Sequence, residues 1–267
     1  MKINILGTGY GMASNCYNTC FTIEKNQKHF LIDSGGGNTL LNNLNKMKIP
    51  AENINAVFIS HTHIDHILGV LWLIRYILPK YYKKHIVEPI TLYGNKKVIS
   101  CLRILIENLM PPDFLDLIDN KIILKTVNNN DKYMILGNEV VFFDTYAKKD
   151  LQYGFSMKFD EDKKFTFIGD EYCKNHTKKY INNSTWLFAD AYMCGEEAEK
   201  YNPMRRHCHS SVKYISTIAN ELNVKNLILS HTVDNNLKVR KSTFSEDSKK
   251  YFFGNIFIPD DLETILM

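Results

Sequence analysis

The feature that most narrows what this chain can fold into is the run Ala56-Val57-Phe58-Ile59-Ser60, followed at once by His61-Thr62-His63-Ile64-Asp65-His66. A short, unbroken, β-branched and aromatic stretch reads as a buried strand, and the polar cluster after it as the loop at that strand's end. Residues two apart in extended backbone point the same way. His61 and His63 can therefore face one position, while Asp65 and His66, in the turn beyond, face a second. Three imidazoles and a carboxylate so close together suit a borderline cation such as zinc, which takes His nitrogen and carboxylate oxygen at ~2.0–2.2 Å. The competing reading is a solvated polar loop, but random placement rarely gathers three of nine histidines so tightly.

A chain of 267 residues with 45% apolar content can bury a substantial core, as one domain over 1–267 or two intimately fused halves. Strands are expected at Ile3 to Leu6, Cys20 to Glu24, His29 to Ile32, Ala56 to Ile59, Ile90 to Tyr93, Lys121 to Val127, Glu139 to Thr145, Gly154 to Phe159, Lys164 to Ile168, Thr185 to Ala189, Asn226 to Leu229 and Ile256 to Ile258. Helical periodicity marks Asn38 to Met47, Leu68 to Tyr82, Lys97 to Leu109 and Val212 to Leu222. Strands outnumber helices, with hairpin-like neighbours in the middle and strand–helix alternation near both ends. The expected fold class is α/β (α+β), a β-rich core covered by helices in an αββα sandwich. Trp72 and Tyr76, four apart in a helical run, read as core packing ahead of a substrate cleft or a dimer face.

Lys and Arg are scattered, so a net charge of +4 favours anionic partners only mildly and does not by itself indicate nucleic acid. The amino-terminal segment lacks the apolar middle of a secretory signal, and Ile67 to Leu78 contains Arg75 and falls short of a membrane span. The expectation is a cytoplasmic protein without a membrane partner. Cys16, Cys20, Cys101, Cys173, Cys194 and Cys208 include no Cys-x-x-Cys pair, and most read as small buried apolar residues rather than disulfides. The glycines at 7, 9 and 35–37 could approach a phosphate, but tight turning is the simpler reason for them.

Two more strand candidates end in a possible ligand, at Gly169-Asp170 and Ser230-His231. Taken singly, such an Asp is a turn residue and such a His a satisfied polar side chain. Beside the 61–66 cluster both read as ligands, because donors converging from separate strand ends make a site on a rigid scaffold. Asp33, closing Phe30-Leu31-Ile32, either turns the chain before Gly35-Gly36-Gly37 or orients a ligating imidazole.

The segments LGTGYG, FLIDSGGG, SHTHIDHILG, FTFIGDE, HSS and LILSHT occur in an order that resembles the metallo-β-lactamase superfamily, and specifically its ribonuclease Z-like branch. The resemblance implies that His61 and His63 bind a first metal and Asp65, His66 and His231 a second, with Asp170 bridging both. A hydroxide held between the metals would be the nucleophile, and the implied cofactor is zinc, one or two divalent ions, with Mn or Fe as alternatives. His209-Ser210-Ser211 and Asp190 resemble a proton-donating His held by a carboxylate, with Asp65, His209 and Asp190 as the catalytic set. Otherwise His209 and Ser210 simply cap the helix from Val212. A homodimer is implied in the same way.

The chain departs from the family where relatives supply a third His to the first metal; the slot holds Tyr146. Either Tyr146 binds as phenolate, or His176 or Cys173 replaces it, or the first site is weak, which is the preferred hypothesis because a phenol yields its proton reluctantly. Only a short hairpin fits between Tyr146 and Asp170, so the tRNA-gripping arm of the tRNA-processing members is not there. Asp170, where zinc β-lactamases commonly use Cys, argues against antibiotic hydrolysis, and His63 argues against the redox members. The expected activity is a ribonuclease Z-like phosphodiesterase acting on a phosphodiester, RNA included. The alternatives are a hydrolase of lactones, thioesters or other esters, and a non-catalytic metal- or nucleic-acid-binding relative.

Overall fold

Each apolar run expected as a strand forms one, with ends displaced by no more than two residues, as at Ile54 against the expected Ala56. The computed structural model describes residues 1–83, 85, 88–195, 198 and 209–267. The chain divides into two units, one of Met1–Gly7, Tyr17–Val127 and Asp260–Met267, the other of Thr8–Cys16 and Asn128–Pro259.

The first unit is built on β1 (Lys2–Gly7), β2 (Cys20–Lys25), β3 (Lys28–Ile32), β4 (Ile54–Ile59), β5 (Ile90–Gly94), β6 (Ile122–Thr126) and β14 (Thr264–Leu266), in the order β14-β1-β2-β3-β4-β5-β6. Pairing is antiparallel from β14 to β3 and parallel from β3 to β6. Leu31, Val57 and Leu92 are register partners across β3, β4 and β5. They join Leu40 and Leu44 of α1 (Thr39–Lys46), Val70, Leu73, Ile74 and Ile77 of α2 (Ile64–Tyr82), and Leu102 and Ile106 of α3 (Lys96–Leu109) in one apolar cluster.

The second unit is built on β7 (Lys132–Ile135), β8 (Asn138–Asp144), β9 (Tyr153–Phe159), β10 (Lys163–Phe167), β11 (Trp186–Asp190), β12 (Asn226–Ser230) and β13 (Asn255–Phe257). Its order is β13-β12-β11-β10-β9-β8-β7, antiparallel from β7 to β10 and parallel from β10 to β13. After the short α4 (Lys178–Ile181), α5 (Val212–Glu221) and α6 (Leu237–Ser248) supply Val212, Ile215, Ala219 and Phe244 to a cluster with Leu187, Ala189, Leu227 and Leu229. Two mixed sheets flanked by helices give an α+β architecture. In both, the parallel half carries the strand ends from which candidate ligands project, where side chains can be aimed without breaking the ladder.

Several expectations need correction. The helix after the histidine run begins at Ile64 with His63 as its N-cap, so Asp65 and His66 lie in the first helical turn rather than in a loop. The helix N-terminus favours a carboxylate there. Trp72 and Tyr76 are not core: they are 48% and 49% exposed, on the helix side opposite Val70, Leu73 and Ile77. Of the cysteines, Cys20 and Cys173 are buried, Cys16, Cys101 and Cys194 are half-buried, and all five are free thiols; Cys208 lies outside the described residues. Gly7 serves close packing, since a Cβ there would sit 2.1 Å from the Asn18 carbonyl oxygen, while Gly35, with φ +68° against the Tyr17 ring, serves both packing and the expected tight turn.

Candidate metal centre

In the first unit the donors come from one strand end and one helical turn. Asp33, at the end of β3 with φ 51°, accepts from the Ser60 backbone N–H (2.8 Å) and the Ser60 hydroxyl (2.9 Å) and sits 2.8 Å from His66 Nδ1. A carboxylate only accepts, so the ring proton of His66 faces Asp33. Its Nε2 is turned to Asp65, 3.1 Å from Oδ2. The His61 ring centroid lies 4.2 Å from that of His66 and 4.3 Å from that of His63, with His61 Nδ1 3.0 Å from the Ser60 hydroxyl. Burial disfavours the His66 imidazolium, but Asp65 and Asp33 on either side outweigh it and hold its pKa well above the ordinary value.

Gly69 makes this arrangement possible. A Cβ there would fall 1.8 Å from the Ser34 carbonyl oxygen, so only glycine lets α2 settle on the 33–37 loop. The Ser34 N–H and hydroxyl both donate to the His66 carbonyl, at 2.9 and 2.7 Å, and the Gly69 N–H to that of Gly35 at 2.9 Å. The sequence alone does not single out Ser60 and Gly69, although both lie inside the SHTHIDHILG segment.

In the second unit three separate strand ends contribute. Asp170 follows β10, Asp190 ends β11, and His231, with φ 57°, follows β12. One Asp190 oxygen lies 3.3 Å from His231 Nδ1; the other lies 3.3 Å from His209 Nδ1 and accepts the Ser210 N–H at 2.7 Å. His231 Nε2 is left toward Asp170, 3.9 Å from Oδ2. Asp170, His209 and His231 each offer a donor atom, all within 4.8 Å of one another. His209 is stacked between Tyr192 and His231, at 5.1 Å from each, and its Nε2 is 3.0 Å from Lys149 Nζ. An ammonium only donates, so in this arrangement Asp190 receives the His209 Nδ1 proton and Lys149 gives to Nε2. Ser211, not His209 or Ser210, caps α5, its hydroxyl accepting from Tyr214 N–H.

Gln152, also silent in the sequence, donates to Asp170; Gly169 makes room for it, since a Cβ there would meet its amide at 2.2 Å. Tyr146 is 52% exposed, with φ 56° and its ring edge-on to His176 at 4.1 Å. His176 belongs to no His/Cys/Asp/Glu donor group among the described residues. Cys173 is tied to Thr177 (3.4 Å), and burial raises its thiol pKa, which disfavours a metal-binding thiolate.

The donor chemistry fits a divalent cation. Two ligands ~2.1 Å from one ion in a tetrahedral shell lie roughly 3.4 Å apart; the pairs His66–Asp65 and His231–Asp170 lie at 3.1 and 3.9 Å. Behind His66 a second carboxylate, Asp33, holds the Nδ1–H as metal-binding histidines require, and Asp190 stands in the same position 3.3 Å from His231 Nδ1.

The family described as Anti-Pycsar protein Apyc1 matches residues 1–252. The chain belongs to this family. Outside it, this Apyc1 family member is 33% identical over 124 residues to ribonuclease Z of Borrelia hermsii (strain HS1 / DAH), a stretch covering 46% of the chain and 38% of that relative, so it spans well under half of the relative's length. Among solved structures it superposes on the metallo-β-lactamase fold protein YhfI of Bacillus subtilis with a TM-score of 0.77 at 16% identity, covering 99% and 98% of the two chains. Human tRNase Z, short form, gives 0.73 at 19% identity, covering 100% and 99%. The Apyc1 family member thus has the metallo-β-lactamase fold, with kinship to the ribonuclease Z-like branch. Among its described residues no helix is long and apolar enough to cross a membrane.

Proposed function

We propose that the protein is a metal-dependent hydrolase and, more closely, a phosphodiesterase, in which His61, His63, Asp65, His66, Asp170 and His231 serve as metal ligands. The observation that carries this reading is the repeated arrangement Asp33–His66–Asp65 and Asp190–His231–Asp170. In each, one carboxylate lies against the imidazole Nδ1, at 2.8 and 3.3 Å, and the other stands beside Nε2 as a partner ligand. A bound divalent cation would supply Lewis acidity and an acidified water. Asp33 holds His66 with its Nδ1 proton inward and Nε2 free to ligate, and His209, oriented by Asp190 and faced by Lys149, is the residue placed beside the leaving group to pass its proton. Zinc as the ion, a cytoplasmic location, a homodimer and RNA among the substrates belong to the same proposal and rest on resemblance. The β9–β10 hairpin between Tyr146 and Asp170 leaves no long arm, which favours a small diester over tRNA.

The test is elemental analysis of protein purified without chelator, followed by turnover assays in the metal found. The panel is bis(p-nitrophenyl) phosphate, a dinucleotide, a cyclic mononucleotide, and lactone and thioester substrates. Cleavage of diesters, abolished by chelation and restored by metal, is expected. Activity confined to carboxylic esters would overturn the phosphodiesterase reading, and inertness toward every class in metal-loaded protein would overturn hydrolysis.

A further inference from the structure

The first unit holds a second polar recess, remote in sequence from the histidine run. On one face of β14, β1, β2 and β3 the register brings together Thr264, Lys2, Asn4, Thr22, Glu24 and His29. An unbroken hydrogen-bond chain runs through them. The Thr264 hydroxyl donates to Asn4 Oδ1 (3.0 Å), and the Asn4 amide donates to Thr22 (3.2 Å) and Glu24 (3.1 Å). Thr22 Oγ1 lies 3.1 Å from His29 Nδ1. Beside this chain opens a cavity of about 410 Å³, walled also by Gln27, Lys48 and Asn53.

The direction of the chain decides what the cavity presents. Thr22 already accepts from Asn4, and the one acceptor its hydroxyl proton meets is His29 Nδ1. With the Thr22 hydroxyl donating to Nδ1, the His29 proton sits on Nε2, the arrangement on which the proposed anion site rests and which its NMR test reads. His29 is 4% exposed and its Nε2 makes no hydrogen bond among the described residues. Lining the cavity, this N–H is open to an acceptor there. Burial, more than the opposing influence of Glu24, holds the His29 pKa below its usual value, so this donor is neutral at pH 7. The charges complete the picture. Glu24 is neutralised by Lys2 (3.1 Å) and by Asn4, while the Lys48 ammonium forms no ion pair among the described residues. The recess has a fixed N–H donor, amides and one uncompensated cation.

We propose that this cavity binds a small molecule through an anionic, acceptor-rich head, phosphate or carboxylate, held by His29 Nε2–H and Lys48. The test uses the metal-loaded protein. Inorganic phosphate and, separately, acetate are titrated while the His29 ring signals are followed by long-range proton–nitrogen NMR, which also reads the tautomer directly. A saturable shift of the Nε2–H signal with at least one anion is expected. Lys48→Glu should weaken it roughly tenfold or more, since a tenfold change needs only ~1.4 kcal/mol, with hydrolysis at the metal centre unchanged. His29→Gln, which keeps an N–H donor, should retain binding better than His29→Leu, and preference between the anions identifies the head group. An Nδ1–H tautomer, the absence of a saturable shift with either anion, or a shift indifferent to Lys48→Glu would each overturn the proposal. None of these outcomes depends on the metal centre.

Discussion

The two units assemble the same triad from different materials. In the first, Asp33, His66 and Asp65 come from one strand end and the first turn of α2, and Ser60, Ser34 and Gly69 lock them at 2.8 and 3.1 Å. In the second, Asp190, His231 and Asp170 come from three parallel strands, meet at 3.3 and 3.9 Å, and Asp190 divides itself between two imidazoles. Ligands drawn from neighbouring residues give a tight donor set, whereas ligands gathered across a sheet give one whose geometry depends on long-range register. If each triad holds metal that turnover needs, His66→Ala and His231→Ala should each cut turnover by more than about a thousandfold, some 4 kcal/mol of barrier. Both should also lower the metal content found by elemental analysis. A His66→Ala protein that kept its metal and its rate would break the comparison and leave catalysis to the second unit's triad.

The carboxylates behind the imidazoles sharpen the contrast. Asp33→Asn removes the charge holding one ring, and Asp190→Asn the charge holding two. Replacing such a partner typically costs 10–100-fold in metal affinity or activity. Asp33→Asn should fall toward the lower end, because Ser60 still fixes the side chain, and Asp190→Asn toward the upper end. Metal affinity by competitive chelation, measured beside kcat and KM, checks the order. Equal losses would mean that the shared contact of Asp190 with His209 contributes nothing.

The same contrast explains what the sequence reveals by itself. The first unit's ligands are legible because sequence neighbours are spatial neighbours there, and a strand run followed by His-x-His-x-Asp-His states its own geometry. Asp170 and His231 are visible only as strand-end residues, and their partnership with Asp190 depends on the parallel register of β11 and β12, which no local pattern encodes. Gln152 and Gly169 are silent for the same reason. The helix α6 escapes notice because its buried residues include Arg240, which bonds Thr8, Thr232 and the Pro259 carbonyl, so no apolar stripe marks it. The strands β7 and β14 escape because four and three residues are too few to show a period. Spacing sets Tyr146 in a ligand slot, but spacing carries no sign of an exposed ring on a left-handed residue.

The smallest expected effect tests whether the looser triad carries strain next to its ligand. Glu171 follows Asp170, is 3% exposed, and has only a 3.7 Å approach from Lys174 and a 3.4 Å contact from the Lys148 N–H. Burial, together with the Asp170 charge, outweighs these and lifts its pKa to about 7. A carboxyl raised on folding binds its proton more tightly in the native state than in the unfolded chain. Its contribution is therefore fully favourable below the unfolded value near 4.5 and is lost as pH climbs through about 7. Glu171→Gln removes the ionisation and keeps the shape. Between pH 5 and 8 the variant's melting temperature should fall less than the wild type's, leaving it a few degrees more stable at pH 8, where roughly 1 kcal/mol corresponds to ~2–4 °C for a chain of this size. His66, also raised, loses its contribution as pH rises through its own folded pKa and remains in both proteins, so the difference between the two melting curves isolates Glu171. Parallel curves would show that Glu171 is solvated in solution and that the second unit's ligand loop is no more strained than the first's.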